Sequence, residues 1–217
     1  MPKQNLIRTA DFPYHLTARS NNREFFYLDL EELWWIFMKN LSVLQRDYGC
    51  EIQAFVLMSN HYHLMMVTPR ENLGESMQYL QRETARRANY RTERVNHFFG
   101  GRYKWSLVNQ EIYYWHALKY IYRNPVRAGM CERVEDYKFS SLNRSAWGFD
   151  WRLTDYFFDR AKTIELDRDW LNQSYPGEQE MAVQKALRRR EFKPPTDKSG
   201  RPYAFDIPQR KKGVVSF

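Results

Sequence analysis

The sequence predicts an α+β sandwich built on an antiparallel sheet, and three observations carry that prediction. Stretches whose apolar residues alternate in twos are interleaved with stretches whose apolar residues recur at helical spacing. Their order is strand, helix, strand, strand, helix, strand. The two middle strands are joined only by Ser59-Asn60, a turn-forming pair that permits nothing but a hairpin.

The first strand lies in residues 7–19, IRTADFPYHLTAR, entered through Pro13, where a missing N–H is tolerated. Thr17 and Arg19 share one face of it by the two-residue period. From Asp29 to about Tyr48 the period becomes helical, with Leu30, Leu33, Trp34, Ile36, Phe37, Leu41 and Leu44 mostly on one stripe. Asp29, Glu31 and Glu32 occupy the first turn, where the helix dipole favours negative charge, and Gly49 closes the helix as a left-handed cap. The hairpin at 51–68 follows, and a second helix spans residues 73 to about 93. One side of it carries Leu73, Met77, Leu80, Thr84 and Ala88; the other carries Arg82, Arg86, Arg87, Arg91 and Arg94. With only Glu83 and Glu93 to balance them, these arginines are candidates for phosphate contact as well as for an ordinary solvated face.

His97 to Gly101 forms a loop that serves as a hinge or a close backbone approach, and Tyr103–Asn109 supplies the fourth strand. This βαββαβ order is that of a ferredoxin-like sandwich, with both helices on one face of the sheet. Residues 111–124 add a third helix, which Pro125 and Gly129 are expected to stop, leaving Asn124 at its very end. Residues 137–160 are irregular and aromatic-rich. Beyond Ser174 only a short helix within 178–190 stands out. Residues 185–212 read as a basic tail, disordered or draped on a partner. The expected division is one domain over 1–150, third helix included, and a C-terminal extension over 151–217.

The composition narrows the partners. Lys and Arg number 34 against 26 Asp and Glu, a net charge of +8 that suits a polyanion. Aromatic residues reach 17 %, enough to line both a core and a surface that grips single-stranded nucleic acid. Cys50 and Cys131 have no metal-binding spacing and form no disulfide framework, which points to a reducing cytosol. Neither a signal peptide nor a membrane-spanning run is apparent, so the expectation is a soluble, cytoplasmic protein.

The chemistry centres on His61-Tyr62-His63 at the start of the third strand. Side chains two apart on a strand point the same way, so both imidazoles share a face while Tyr62 faces the opposite side and joins the core. The pair either holds a divalent cation with a third ligand from elsewhere, or consists of ordinary polar residues at a strand start. On the third helix Tyr120 and Asn124 are four apart and share a face. Asn124 offers a carbonyl oxygen for a hard cation, or simply ends a helix; Tyr120 faces the cation's substrate, or fills a core. Tyr122 is turned about 200° from Tyr120 and is expected in the core, whereas Tyr113 shares Tyr120's face two turns back.

Together, M-S-N-H-Y-H-L at 58–64 and Y-I-Y-R-N-P-V-R-A-G at 120–129 resemble the single-tyrosine transposases of the HUH class, and more closely its REP-associated branch. The likeness runs over roughly residues 10–145 and includes Y-H-L-T-A-R at 14–19 and Y-K-F-S-S at 137–141. It implies cleavage of single-stranded DNA beside a hairpin, such as a REP element or a mobile element's end, by a cytoplasmic, nucleoid-associated bacterial enzyme. Tyr120 would be the nucleophile, and His61, His63 and Asn124 the ligands of Mg²⁺ or Mn²⁺. Arg19, Arg82, Arg86, Arg87 and Arg127 would contact DNA, and a monomer is favoured slightly over a homodimer. Two other readings stand beside this one. The first is a hairpin-binding protein that no longer cuts. The second is an unrelated zinc hydrolase, for which no carboxylate or third His lies adjacent to the pair in sequence.

Overall fold

The computed structural model describes residues 6–143 except 96, the strand pair at 154–155 and 159–163, and residues 166–208 except 177, 194, 195, 198, 202, 204 and 205. The boundary expected at 150–151 and the far end of the basic tail lie outside the described residues.

Strand β1 is Tyr14–Arg19, helix α1 Leu30–Tyr48, and the hairpin consists of β2 at Glu51–Leu57 and β3 at His61–Val67. Helix α2 is Leu73–Thr92, strand β4 Lys104–Leu107, and helix α3 Glu111–Arg127. The four strands form one sheet in the order β2-β3-β1-β4, and every pairing is antiparallel. The chain is therefore an α+β sandwich, as the element order predicts.

Alternation sorts the sheet into two faces. Tyr14, Leu16 and Ala18 of β1 and Tyr62, Leu64 and Met66 of β3 join α1 and α2 in one core, where Tyr62 packs edge-on against Phe37. Ala54 and Val56 of β2 and Met65 and Val67 of β3 face the other way and pack with α3. The register slips between Ile52 and Ala54, so Gln53 turns toward α3 as well and its side-chain oxygen accepts the Tyr114 hydroxyl at 2.9 Å.

The expected caps are in place. Asp29 accepts the backbone N–H of Glu31 and Glu32, which contributes about 1 kcal/mol to α1, and Gly49 takes φ +69 beyond its end. The 97–101 loop makes the close approach foreseen for it. The Gly100 N–H donates to the Arg19 carbonyl at 2.9 Å, and a Cβ at Gly100 would lie 2.9 Å from the Ser20 oxygen. That contact anchors the end of β1 on which Arg19 stands.

Two expectations need correction. Pro125 does not stop α3, which continues to Arg127. A proline in the last turn forfeits one backbone bond, and the turn is closed by Ala128 N–H on the Asn124 carbonyl, Gly129 on Val126 and Met130 on Pro125. Gly129, at φ +68, then turns the chain away. The basic stretch from 185 is also not all tail. Helices α4, Arg168–Asn172, and α5, Gln179–Ala186, pack on α3, and Leu187 and Phe192 are buried with them. Arginine-rich sequence hides this, because only two apolar side chains in 187–192 carry the contact. Residues 190–192 also run beside β4, with Leu107 N–H donating to the Arg190 carbonyl and Phe192 N–H to the Leu107 carbonyl. A further strand pair, β5 at Thr154–Asp155 and β6 at Asp159–Thr163, is antiparallel.

Candidate active site

The α3-facing side of the sheet carries three histidines. Thr17 pairs with His63 and Arg19 with His61 across the antiparallel β1–β3 ladder, so Arg19 and both histidines lie on one face. His15 lies on that face too, two residues before Thr17. Its Nε2 stands 2.9 Å from His63 Nδ1, and the two rings are stacked with centroids 5.2 Å apart. His61 meets His63 edge-on at 5.0 Å and is itself held by the Asn60 side-chain oxygen, 2.7 Å from its Nδ1.

Helix α3 brings Tyr120 onto this cluster. The Tyr120 ring stands edge-on to His63 at 5.5 Å and to His15 at 6.1 Å. Seven residues on, and so on nearly the same side of the helix, the Arg127 guanidinium lies over the Tyr120 ring at 5.3 Å from its centroid. That contact exists because α3 runs through Pro125. Asn124 is buried, and its side-chain N–H donates to the Tyr120 carbonyl at 2.7 Å. The bond orients the amide and leaves its oxygen uncommitted by that contact.

Burial and two neighbouring cations keep the imidazoles neutral. Burial pulls the His61 pKa down to about 4, with Arg19 and Arg127 adding to the effect. Burial likewise lowers His15 to about 3 and drives His63 well below its ordinary value. Neutral imidazoles carry the lone pairs that a cation requires. Among the described residues His63 Nε2 is buried without a hydrogen-bond partner, a state that costs about 1–3 kcal/mol. Among the described residues no three His, Cys, Asp or Glu form a metal-binding group. His61, His63 and the Asn124 amide oxygen are uncharged donors of the kind that could hold a divalent ion and leave its full charge facing an anion. The donor types fit a hard or borderline cation better than a structural zinc.

The structure thus brings together His61, His63, Tyr120, Arg19 and Arg127, with Asn124 one turn beyond Tyr120. Arg82, Arg86 and Arg87 lie elsewhere, on α2, beyond the opposite face of the sheet. Arg82 and Arg86 both pair with Glu83 there, and Arg91 pairs with Glu32. A cavity of about 680 Å³ between α2 and the loop around His97 and Phe98 contains none of His15, His61, His63 or Tyr120. Of the rival tyrosines, Tyr113 packs on Phe192 at 4.8 Å, and the Tyr122 hydroxyl is tied to Ser141 at 3.0 Å in the core. His15 is the site residue that sequence reasoning missed. The two-residue period that joined Thr17 to Arg19 reaches His15 just as directly, so the signal was present.

No curated protein matches the chain. A solved structure described as a REP-associated tyrosine transposase bound to a REP hairpin matches with a TM-score of 0.58 at 20 % identity, over 76 % of this chain and 100 % of that one. A second structure, from Deinococcus radiodurans R1, has 16 % identity over 60 % of this chain and 91 % of that one, with a TM-score of 0.38, too low to bear on the fold. The family described as "Transposase IS200 like" matches residues 9–124, more than half of the sequence and the whole of the sheet, α1 and α2, together with α3 as far as Asn124. The chain belongs to the IS200-like transposase family.

Proposed function

We propose that this protein nicks single-stranded DNA beside a hairpin and rejoins strands, using Tyr120 as nucleophile and a divalent cation, Mg²⁺ or Mn²⁺, held by His61, His63 and Asn124. The observation that carries the reading is the meeting of Tyr120 with His63, two residues that reach each other only through the packing of α3 on the sheet. Family membership supports an enzyme acting on DNA, and the similar structure bound to a REP hairpin supports a hairpin as its substrate.

In the reaction the Tyr120 Oη forms a bond to the scissile phosphorus as the P–O3′ bond breaks. The phenolic proton leaves, and the departing 3′-oxygen takes one up, giving a 5′-phosphotyrosine and a free 3′-hydroxyl. A bound cation would polarise the phosphate and ease ionisation of a phenol whose ordinary pKa is about 10. Arg127, lying on the Tyr120 ring, and Arg19, opposite His61, supply fixed positive charge for the phosphate and the phenolate. Because the phosphoester is conserved, an incoming 3′-hydroxyl can reverse the step without a nucleotide cofactor. Arg82, Arg86 and Arg87 on α2 are assigned to the hairpin's backbone, away from the chemistry. His63 and Tyr120 meet within one chain, so the reading needs no second copy and favours a monomer.

The test incubates the protein with labelled hairpin oligonucleotides and Mn²⁺ and resolves the products under denaturing conditions. A covalent protein–DNA band that requires the metal and disappears in Tyr120→Phe and His61→Ala supports the reading. Hairpin binding with no covalent band on any oligonucleotide would replace it with a binding-only protein.

A further inference from the structure

The His15–His63 contact has no role in the reaction described above, yet it joins two fully buried rings across β1 and β3. Two proton arrangements can make that single hydrogen bond. If His15 Nε2–H donates, His63 must carry its proton on Nε2, where it would be a buried donor with no acceptor among the described residues. If His63 Nδ1–H donates instead, the unpaired atom is a bare Nε2 lone pair. Buried N–H groups are almost never left orphaned, whereas acceptors are left under-satisfied somewhat more often. The second arrangement is therefore the favoured one, and it is also the one that lets His63 Nε2 act as a ligand.

We propose that His15 is a positioning residue. It accepts the Nδ1–H of His63, fixes that tautomer and ring orientation, and so presents the Nε2 lone pair to a cation beside Tyr120. Metal-binding histidines ordinarily donate their second N–H to a carboxylate or a carbonyl. Here a neutral imidazole takes that part, which keeps the site free of negative charge and open to phosphate. The stacking of the two rings restrains the rotation that would exchange Nδ1 for Nε2. The consequence for the cation rests on the function proposed above; the tautomer itself does not.

Long-range ¹H–¹⁵N correlation spectra of metal-free wild type with ¹⁵N-labelled histidine read the tautomer directly. The expected result is His63 protonated on Nδ1 and bare on Nε2; His63 protonated on Nε2 would overturn the inference whether or not the protein binds metal. Mn²⁺ titration calorimetry then compares His15→Phe, which keeps a ring but has no acceptor, with His15→Gln, whose amide oxygen can accept the same N–H. His15→Phe should lose about 10–100-fold in affinity, and His15→Gln should recover most of it. Wild-type affinity in His15→Phe would contradict the assignment. Absence of Mn²⁺ binding in wild type would instead remove the metal from the proposed function, with the tautomer measurement still deciding the role of His15.

Discussion

One turn apart on α3, two polar clusters are built around buried histidines, His63 with Tyr120 in one and His116 with Tyr175 in the other. His116 and Tyr175 lie on the side covered by α4 and α5, with His116 Nδ1 at 3.0 Å from the Tyr175 hydroxyl. Lys119 sits over Trp170 at 4.5 Å and over Tyr175 at 5.0 Å, and Arg123 donates to the Asn172 carbonyl at 2.6 Å and to the Leu171 carbonyl at 3.4 Å. Burial pulls His116 down to about 4 and Lys119 to about 8. These groups direct their polar atoms and their charge at the C-terminal elements and hold them on the helix. The cluster around His63 and Tyr120 also has depressed histidines, but the two arginines beside it face no carboxylate among the contacts described. Burial and a shifted pKa therefore do not by themselves mark a site. What distinguishes the proposed reactive side is positive charge that no carboxylate or carbonyl takes up among the contacts described, whereas Arg123 is spent on the α4 carbonyls.

The sharpest way to break this comparison is to remove one reactive group from each cluster. Tyr120→Phe should abolish adduct formation, a loss of at least about 10³-fold that reflects removal of the nucleophile. Tyr175→Phe should leave the adduct rate of the folded protein within about twofold. Time courses on saturating hairpin DNA check both. An equal loss from the two substitutions would erase the distinction.

A smaller effect belongs to the structural side alone. Arg123→Met keeps the aliphatic stem but deletes the charged donor to the α4 carbonyls, so stability should fall by about 1.5–3 kcal/mol. Urea denaturation measures it, and the adduct rate at low temperature should be unaffected.

pH acts on both clusters in the same direction, because His116 is depressed as well. His15 and His61 have folded pKa values depressed to about 3 and about 4, against about 6.5 in the unfolded chain. Between those limits the unfolded chain binds protons that the folded one does not, so stability is full above about pH 6.5 and is lost as pH falls toward 4. Each such histidine contributes a slope of up to about 1.4 kcal/mol per pH unit. Denaturation midpoints at several pH values should show a shallower slope in His15→Phe than in wild type over that window.

The smallest effect expected is on α2. The double substitution Arg82→Ala and Arg86→Ala should weaken hairpin affinity and reduce its salt dependence by about two phosphate contacts, without changing the adduct rate at saturating DNA. Affinities measured across a salt series would reveal it.

The contrast between the two sides of α3 also explains what could be read from the sequence. Alternation placed His61 and His63 on one face and Tyr62 on the other, and a helical turn placed Asn124 beside Tyr120, because these are local periodicities. The sheet and its helices were legible for the same reason, down to Asp29 and Gly49 at the ends of α1. His15 went unrecognised although it stands on the same period, since its importance arises only when β1 is laid against β3. The course of α3 past Pro125 depends on backbone donors at 128–130 that no propensity argument supplies. The buried side chains of Leu187 and Phe192, set in a run of arginines, depend on α3, which is distant in sequence, so composition misread them. Likewise, the pairing of Arg82 and Arg86 with one glutamate is a matter of side-chain geometry rather than of charge counts.

In the proposed reaction Tyr120, and no other tyrosine of α3, carries the DNA. Adduct formed on a hairpin oligonucleotide can be digested with nuclease and trypsin and sequenced by tandem mass spectrometry. Cleavage after Lys119 and Arg123 yields the peptide Tyr120-Ile121-Tyr122-Arg123, whose fragments separate its two tyrosines. A residual nucleotide on Tyr120 is the predicted result; a nucleotide on Tyr122 or Tyr113 would contradict the account.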